Sequence, residues 1–106
     1  TMANDIFIQG RLILPAQIAQ CLGETPNIAD HCQIVLRSGK DGDALVVRVE
    51  ALPDARIEEK KVQAAYRLNR RIEDAIGIIV AVEVGEPGAV PKTMRAAFEI
   101  IDERSQ

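Results

Sequence analysis

His31 and Cys32 stand side by side, an imidazole next to a thiol, and these are the residue types that most often do acid–base and nucleophilic work. A working pair needs both side chains on one face. Neighbours along a strand point to opposite faces, so this spacing predicts no Cys–His dyad. His31 is expected to satisfy local hydrogen bonds in a connector. The chain has two cysteines, Cys21 and Cys32, too few for a disulfide framework. With one histidine they also fall short of a four-ligand metal site, so no metal is expected. They read as buried free thiols. The stretch Ser38-Gly-Lys-Asp-Gly-Asp43 offers glycines and a lysine, as phosphate-binding loops do. It lacks the P-loop spacing and leads into a strand rather than a helix, so it reads as a hairpin turn. Arg67, Arg70 and Arg71 could meet an anion, but Arg70 lies one helical turn before Asp74. That spacing favours a solvated, charge-paired helix face.

The 106 residues are 47% apolar and 27% charged, the balance of one globular domain spanning 1–106. Phe7, Tyr66 and Phe98 are the three aromatics, so the core must be built from Ile, Val, Leu and Ala. Few aromatics and a net charge of −3 speak against a nucleic-acid partner, which would need stacking platforms or a basic field. No apolar run is long enough for a membrane span. The opening residues lack the basic stretch and cleavage site of a secretory leader, and a cytoplasmic location is expected. Met2 reads either as a natural start behind one leftover Thr or as an internal residue of a longer protein.

The elements that must position these groups follow from periodicity. Asp5–Gln9 and Arg11–Leu14 are short extended pieces around Gly10, a bent strand or tight hairpin. Pro15 suits a first helical turn, Ile18, Cys21 and Leu22 repeat at helical spacing, and Gly23 is a stop. Cys32–Arg37 and Ala44–Ala51 read as an antiparallel hairpin. From Asp54 to Ile76 the pattern is helical, with Ala65, Leu68, Ile72, Ala75 and Ile76 on one face and Gly77 at the end. Ile78–Val84 is a β-branched strand, Glu86–Pro91 a loop, and Ala97–Asp102 a short final strand. From residue 11 the order is βαββαβ. It predicts an α/β (α+β) ferredoxin-like core, a four-stranded antiparallel sheet with two helices on one face. A short N-terminal strand and a C-terminal strand are added to it. The strand Ile78–Val84 is apolar on both sides at Ile79, Val80 and Val82, so a partly covered second face or a homodimer is expected.

Three stretches together resemble the C-terminal domain of the phenylacetate–CoA ligase family of adenylate-forming enzymes. Asn4-Asp-Ile-Phe-Ile-Gln-Gly-Arg-Leu-Ile-Leu-Pro-Ala-Gln-Ile18 is similar to Asp-Asp, an apolar run, Arg-Gly, then Asn-Val-Phe-Pro-Ser-Gln-Ile. His31-Cys-Gln-Ile-Val-Leu36 is similar to His-Tyr-Gln-Ile-Val. Val82-Glu-Val-Gly-Glu-Pro-Gly-Ala-Val-Pro91 is similar to Val-Glu-Pro-Gly-Ser-Leu-Pro, and Ile100-Ile-Asp102 to Val-Ile-Asp. The resemblance implies a swinging lid on a larger domain that binds ATP and a carboxylic acid. The lid first supplies a lysine for adenylation, then rotates about a hinge to present another face for thioester formation with CoA. A positioned cation there would offset the repulsion between a carboxylate and a triphosphate. The resemblance places a hinge at Asn4 and Asp5, and site loops at Gly10, Pro87, Gly88 and Pro91.

The chain departs from the family where that chemistry resides. Pro91-Lys-Thr-Met-Arg-Ala-Ala-Phe-Glu-Ile-Ile-Asp102 replaces Pro-Arg-Ser-Glu-Gly-Lys-Ala-Lys-Arg-Val-Ile-Asp, so Ala96 falls on the adenylation lysine. Arg95 falls on the Gly before it, and Lys92 lies four positions away; both are poor substitutes, because a reacting phosphate tolerates little displacement. The Asn after the family's Gly becomes Leu12, and the hinge Arg-Thr-Asp becomes Met2-Ala3-Asn4. The ATP-binding domain has no counterpart in these residues. The expected function is therefore a lid-like accessory or interaction module, non-catalytic alone. ATP with Mg, and CoA, would bind only in the company of a partner ligase domain. Two alternatives stand beside it. One is a regulatory, small-molecule-binding ACT-like dimer, warranted by fold analogy alone. The other is a half-enzyme that docks with a separate ATP-binding domain for acyl-CoA formation.

Overall fold

The computed structural model describes residues 5–92 and 97–104. The chain opens with β1 (Ile6–Ile8) and β2 (Arg11–Ile13), which pair antiparallel. Gln9 and Gly10 between them have φ of 52° and 75°, the two positive angles of the turn whose twist matches a tight hairpin. Helix α1 (Pro15–Gly23) follows, with Pro15 in its first turn and the Gln17 carboxamide oxygen accepting the Leu14 N–H at 3.2 Å. Strands β3 (Ile28–Gly39) and β4 (Gly42–Ala51) form a long antiparallel hairpin. A short 3₁₀ turn, Pro53–Ala55, leads to α2 (Glu58–Ile76), and β5 (Ala81–Gly85) and β6 (Phe98–Asp102) complete the chain.

The main sheet has the order β5-β4-β3-β6. This corrects the all-antiparallel expectation. Only the central hairpin is antiparallel; β5 runs parallel to β4, and β6 parallel to β3. The reason is mechanical. Helix α2 has 19 residues and spans about 28 Å at about 1.5 Å per residue. It carries the chain from the end of β4 back toward its start, so β5 sets off in the same direction. The segment Arg11–Leu14, expected as the first sheet strand, is instead bound to β1, and the fourth place in the sheet goes to β6.

Both helices cover one face. Cys32, Ile34 and Leu36 of β3 and Leu45, Val47 and Val49 of β4 point into a core with Ile18 and Leu22 of α1 and Leu68 and Ile72 of α2. The buried face of α2 is Ala64, Leu68, Ile72 and Ile76, spaced by four. Ala75, expected on that face, is exposed, and Ala65 is half-buried. Gly77 ends α2 with φ +79°, a left-handed value that favours glycine. Ile6, Ile8 and Ile13 fasten the small hairpin to the same core.

The helix-free face is laced with polar pairs. Gln33 meets Glu99 at 2.9 Å, Arg37 meets Glu103 at 3.2 Å and Arg48 meets Glu83 at 3.2 Å. Between them Val35 and Val46 are buried. Ile79, expected within a strand, precedes β5 and is 79% exposed. Arg70, expected to pair with Asp74, donates to the Tyr66 hydroxyl at 3.1 Å and lies over its ring. Among the described residues no helix is long and apolar enough to cross a membrane.

Candidate functional site

Toward the hairpin's open side, β3 carries His31 and β4 carries Glu50. Glu50 lies between Val49 and Ala51, both buried, and is itself only 8% exposed. A carboxylate taken out of water must find donors. Glu50 finds three. Its Oε2 accepts the Gly88 N–H at 2.7 Å, its Oε1 accepts the Val90 N–H at 3.2 Å, and the same Oε1 lies 3.0 Å from His31 Nε2. Burial by itself would push the Glu50 carboxyl up. The Gly88 and Val90 amides and the His31 imidazole outweigh it and hold the carboxyl below the ordinary glutamate value.

His31 Nε2 also lies 3.1 Å from the Val90 carbonyl. Two acceptors at one nitrogen place the proton there. Nδ1 is buried and has no hydrogen-bond partner among the described residues; the nearest acid is Asp30, at 3.6 Å. His31, expected to satisfy local hydrogen bonds in a connector, instead lies inside β3, and its partners Glu50 and Val90 are 19 and 59 residues away. A second tether comes from α2, where Lys61 donates to Glu86 at 2.6 Å. Within the loop the Ala89 N–H closes a turn on the Glu86 carbonyl at 3.0 Å. Gly88 turns with φ +87°, a left-handed value suited to glycine. The loop 86–91 is thus held from β3, β4 and α2 at once.

Chemically this is a clamp: the acid and the imidazole Nε2 are occupied, and Nδ1 is buried. Cys32 adds nothing nucleophilic: it points into the core, and burial pushes its thiol up to about 12. Cys21 is likewise buried, its thiol raised by burial and by Glu24 against the opposing Arg71. Both cysteines are free. Among the described residues no cluster of three His, Cys, Asp or Glu could hold a metal.

The residues singled out in the sequence separate into two places. Pro87, Gly88 and Pro91 are in the clamped loop, and Lys92 follows it, exposed. Gly10 lies in the small hairpin's turn, whose Gln9 side chain donates to the Asp43 carbonyl at the opposite end of β4. The seven-residue step from Asp43 to Glu50 corresponds to about 23 Å of strand. Gly10 and the 86–91 loop therefore mark opposite ends of the sheet. Asp5 is half-buried just before β1. Asn4, Arg95 and Ala96 lie outside the described residues. Glu50 and Lys61 are anchors that sequence reasoning missed. For Glu50 the signal was a glutamate inside an apolar strand, Val46–Ala51, where only a buried partner could keep it.

Comparison with known proteins gives a consistent answer. The sequence pattern of the AMP-binding enzyme C-terminal domain matches residues 10–104. The phenylacetate-coenzyme A ligase of Aromatoleum evansii is 32% identical over 105 residues, covering 93% of this chain and 23% of that protein. The crystal structure of a domain of phenylacetate-coenzyme A ligase from Bacteroides vulgatus superposes with a TM-score of 0.83 at 25% identity, covering 97% of this chain and 95% of that one. The fold is also that of part of 2-hydroxyisobutyryl-CoA ligase, in complex with 2-HIB-AMP and CoA in the thioesterification state. There the TM-score is 0.86 at 23% identity, over 96% of this chain and 22% of that one. The chain spans about a quarter of the length of these two ligases.

Proposed function

Since the chain belongs to the AMP-binding enzyme C-terminal domain family, we propose that it works as a lid-like module beside an ATP-binding ligase domain, without catalysis of its own. The observation that carries this reading is the state of the Glu50–His31 pair. Glu50 and the Nε2 of His31 are spent on each other and on the backbone of the 86–91 loop, and the remaining nitrogen, Nδ1, is buried, so the pair presents no base at the surface. The sequence supports the same reading, because Ala96 stands where the family resemblance puts the adenylation lysine. An alanine offers no charge to a triphosphate. ATP with Mg, and CoA, are then bound only with the larger domain.

A second reading is favoured by the separation of the two ends of the sheet. A half-enzyme that has lost the adenylation lysine would retain the Gly10 hairpin, which lies at the end of the sheet away from the 86–91 loop. Such a module would serve the thioester step of a separate ATP-binding domain.

Pyrophosphate exchange with ATP and a panel of aryl and short-chain acids tests the first reading. The chain alone is expected to give background exchange; exchange above background would overturn it. Mixing the chain with a separately expressed phenylacetate–CoA ligase ATP-binding domain, preformed acyl-adenylate and CoA tests the second. Faster thioester formation than the ATP-binding domain gives alone supports the half-enzyme; an unchanged rate removes it.

A further inference from the structure

We propose that Glu50 and His31 are positioning residues that set the point from which the chain leaves the 86–91 loop, and so the place of Lys92. This rests on the reading of the chain as a lid-like module beside a larger ligase domain. Val90 is gripped on both its backbone groups, its N–H by Glu50 at 3.2 Å and its carbonyl by His31 at 3.1 Å. The chain returns to the sheet at Ala97, whose carbonyl accepts the Cys32 N–H at 2.9 Å. Neighbouring residues of one strand therefore receive residues 90 and 97. His31 holds one end with its side chain, and Cys32 holds the other with its backbone.

A loop that only had to be covered could have been held by apolar burial. Here Val90 is the one buried residue of the six, and the grip is a desolvated carboxylate. Such a group is costly unless every donor is in place, and that makes it selective for one loop position. The charged groups around the pair are few and individually paired. Asp30 of β3 faces Nδ1 at 3.6 Å, Lys61 of α2 is bound to Glu86, and Arg48 of β4 is bound to Glu83 of β5. Length matters as well as charge: an aspartate at residue 50 would be one methylene short of two amides.

The test is amide NMR on the isotopically labelled chain, with a pH titration and two variants. In the unaltered chain the Gly88 and Val90 amide resonances are expected to move together as Glu50 gains its proton, with one midpoint. Lys92 and Ala97 should follow in step, while Phe7 and Leu12 of the hairpin should not. Glu50→Gln and Glu50→Asp should keep the dispersed core signals of Leu68 and Ile72. Both should speed hydrogen exchange at Gly88 and Val90 by about tenfold or more, the loss of one hydrogen bond to a charged group at each amide. Unchanged exchange at these amides in a folded variant would overturn the proposal. If a variant unfolds, the titration of the unaltered chain decides: Lys92 and Ala97 resonances that stay still while Gly88 moves would overturn it. None of these readouts involves ATP or CoA, so they stand apart from the exchange assay that tests the lid reading.

Discussion

The small hairpin β1–β2 and the 86–91 loop sit at opposite ends of β4 and are fastened by opposite means. The hairpin is held by grease. Ile6, Ile8 and Ile13 are each at most 2% exposed, while Phe7, Leu12 and Leu14 on its outer side are 66%, 53% and 43% exposed. Its polar ties are the Gln9 bond to Asp43 and the Arg104 bond to the Phe7 carbonyl at 2.8 Å. The loop is held by charge, with Glu50, His31 and Lys61 doing the holding and Val90 alone buried. Apolar burial is non-directional and indifferent to pH, whereas a carboxylate clamp is directional and depends on its charge. One end of this domain is built to be sturdy and sticky, the other to be exact in position.

The contrast can be broken most severely from the apolar side. Ile13→Ala should cost about 2–5 kcal/mol, the usual loss for emptying a buried isoleucine site. Chemical denaturation would read it, and a loss within error of zero would mean that the hairpin is not part of the core. Acidification should act on the other end. The folded carboxyl of Glu50 lies below its ordinary value, so its contribution is complete above about pH 4.3, the unperturbed glutamate value. It is lost as pH falls further, through the depressed folded value. Losing that tether is worth on the order of 1–3 kcal/mol. Denaturation midpoints between pH 3 and 6 should therefore fall more steeply for the unaltered chain than for Glu50→Gln, and parallel slopes would remove Glu50 as a titrating anchor. Arg104→Ala should have the smallest effect. Its guanidinium is a quarter exposed and shared among Asp43, Asp102 and the Phe7 carbonyl. The loss should stay under about 1 kcal/mol, and a larger one would show that the hairpin depends on its polar ties after all.

Much of this was legible in the sequence, for reasons that differ by element. The β-branched runs gave β3 and β4, and Gly23 and Gly77 gave the helix ends, because both signals are local. The partners of Arg11–Leu14 were not local. That segment carries a good strand pattern, and nothing in it says whether β1 or the main sheet will take its hydrogen bonds. Ala75 was misplaced because alanine fits a buried or an exposed helix face equally well. The clamp was half legible. Pro87, Gly88 and Pro91 announced a shaped loop, but Glu50 lies 38 residues from Gly88. Only the return of β5 alongside β4 brings them together.

The parallel pairing of β6 with β3 has a consequence in time. The β3–β4 hairpin closes through a turn at residues 40–41. Contacts such as Gln33 with Glu99 and Arg48 with Glu83 must close loops of 66 and 35 residues. Loop closure has to be met before such distant contacts return anything, so β6 should join after the hairpin and α2 have packed. Substitutions at Ile100 should then speed unfolding and leave refolding nearly untouched, whereas substitutions at Val47 should slow refolding. During synthesis, β6 is also among the last residues of this segment to leave the ribosome. The grip on residues 90 and 97 would thus be among the last native features to form, once the sheet that carries His31 and Cys32 is in place.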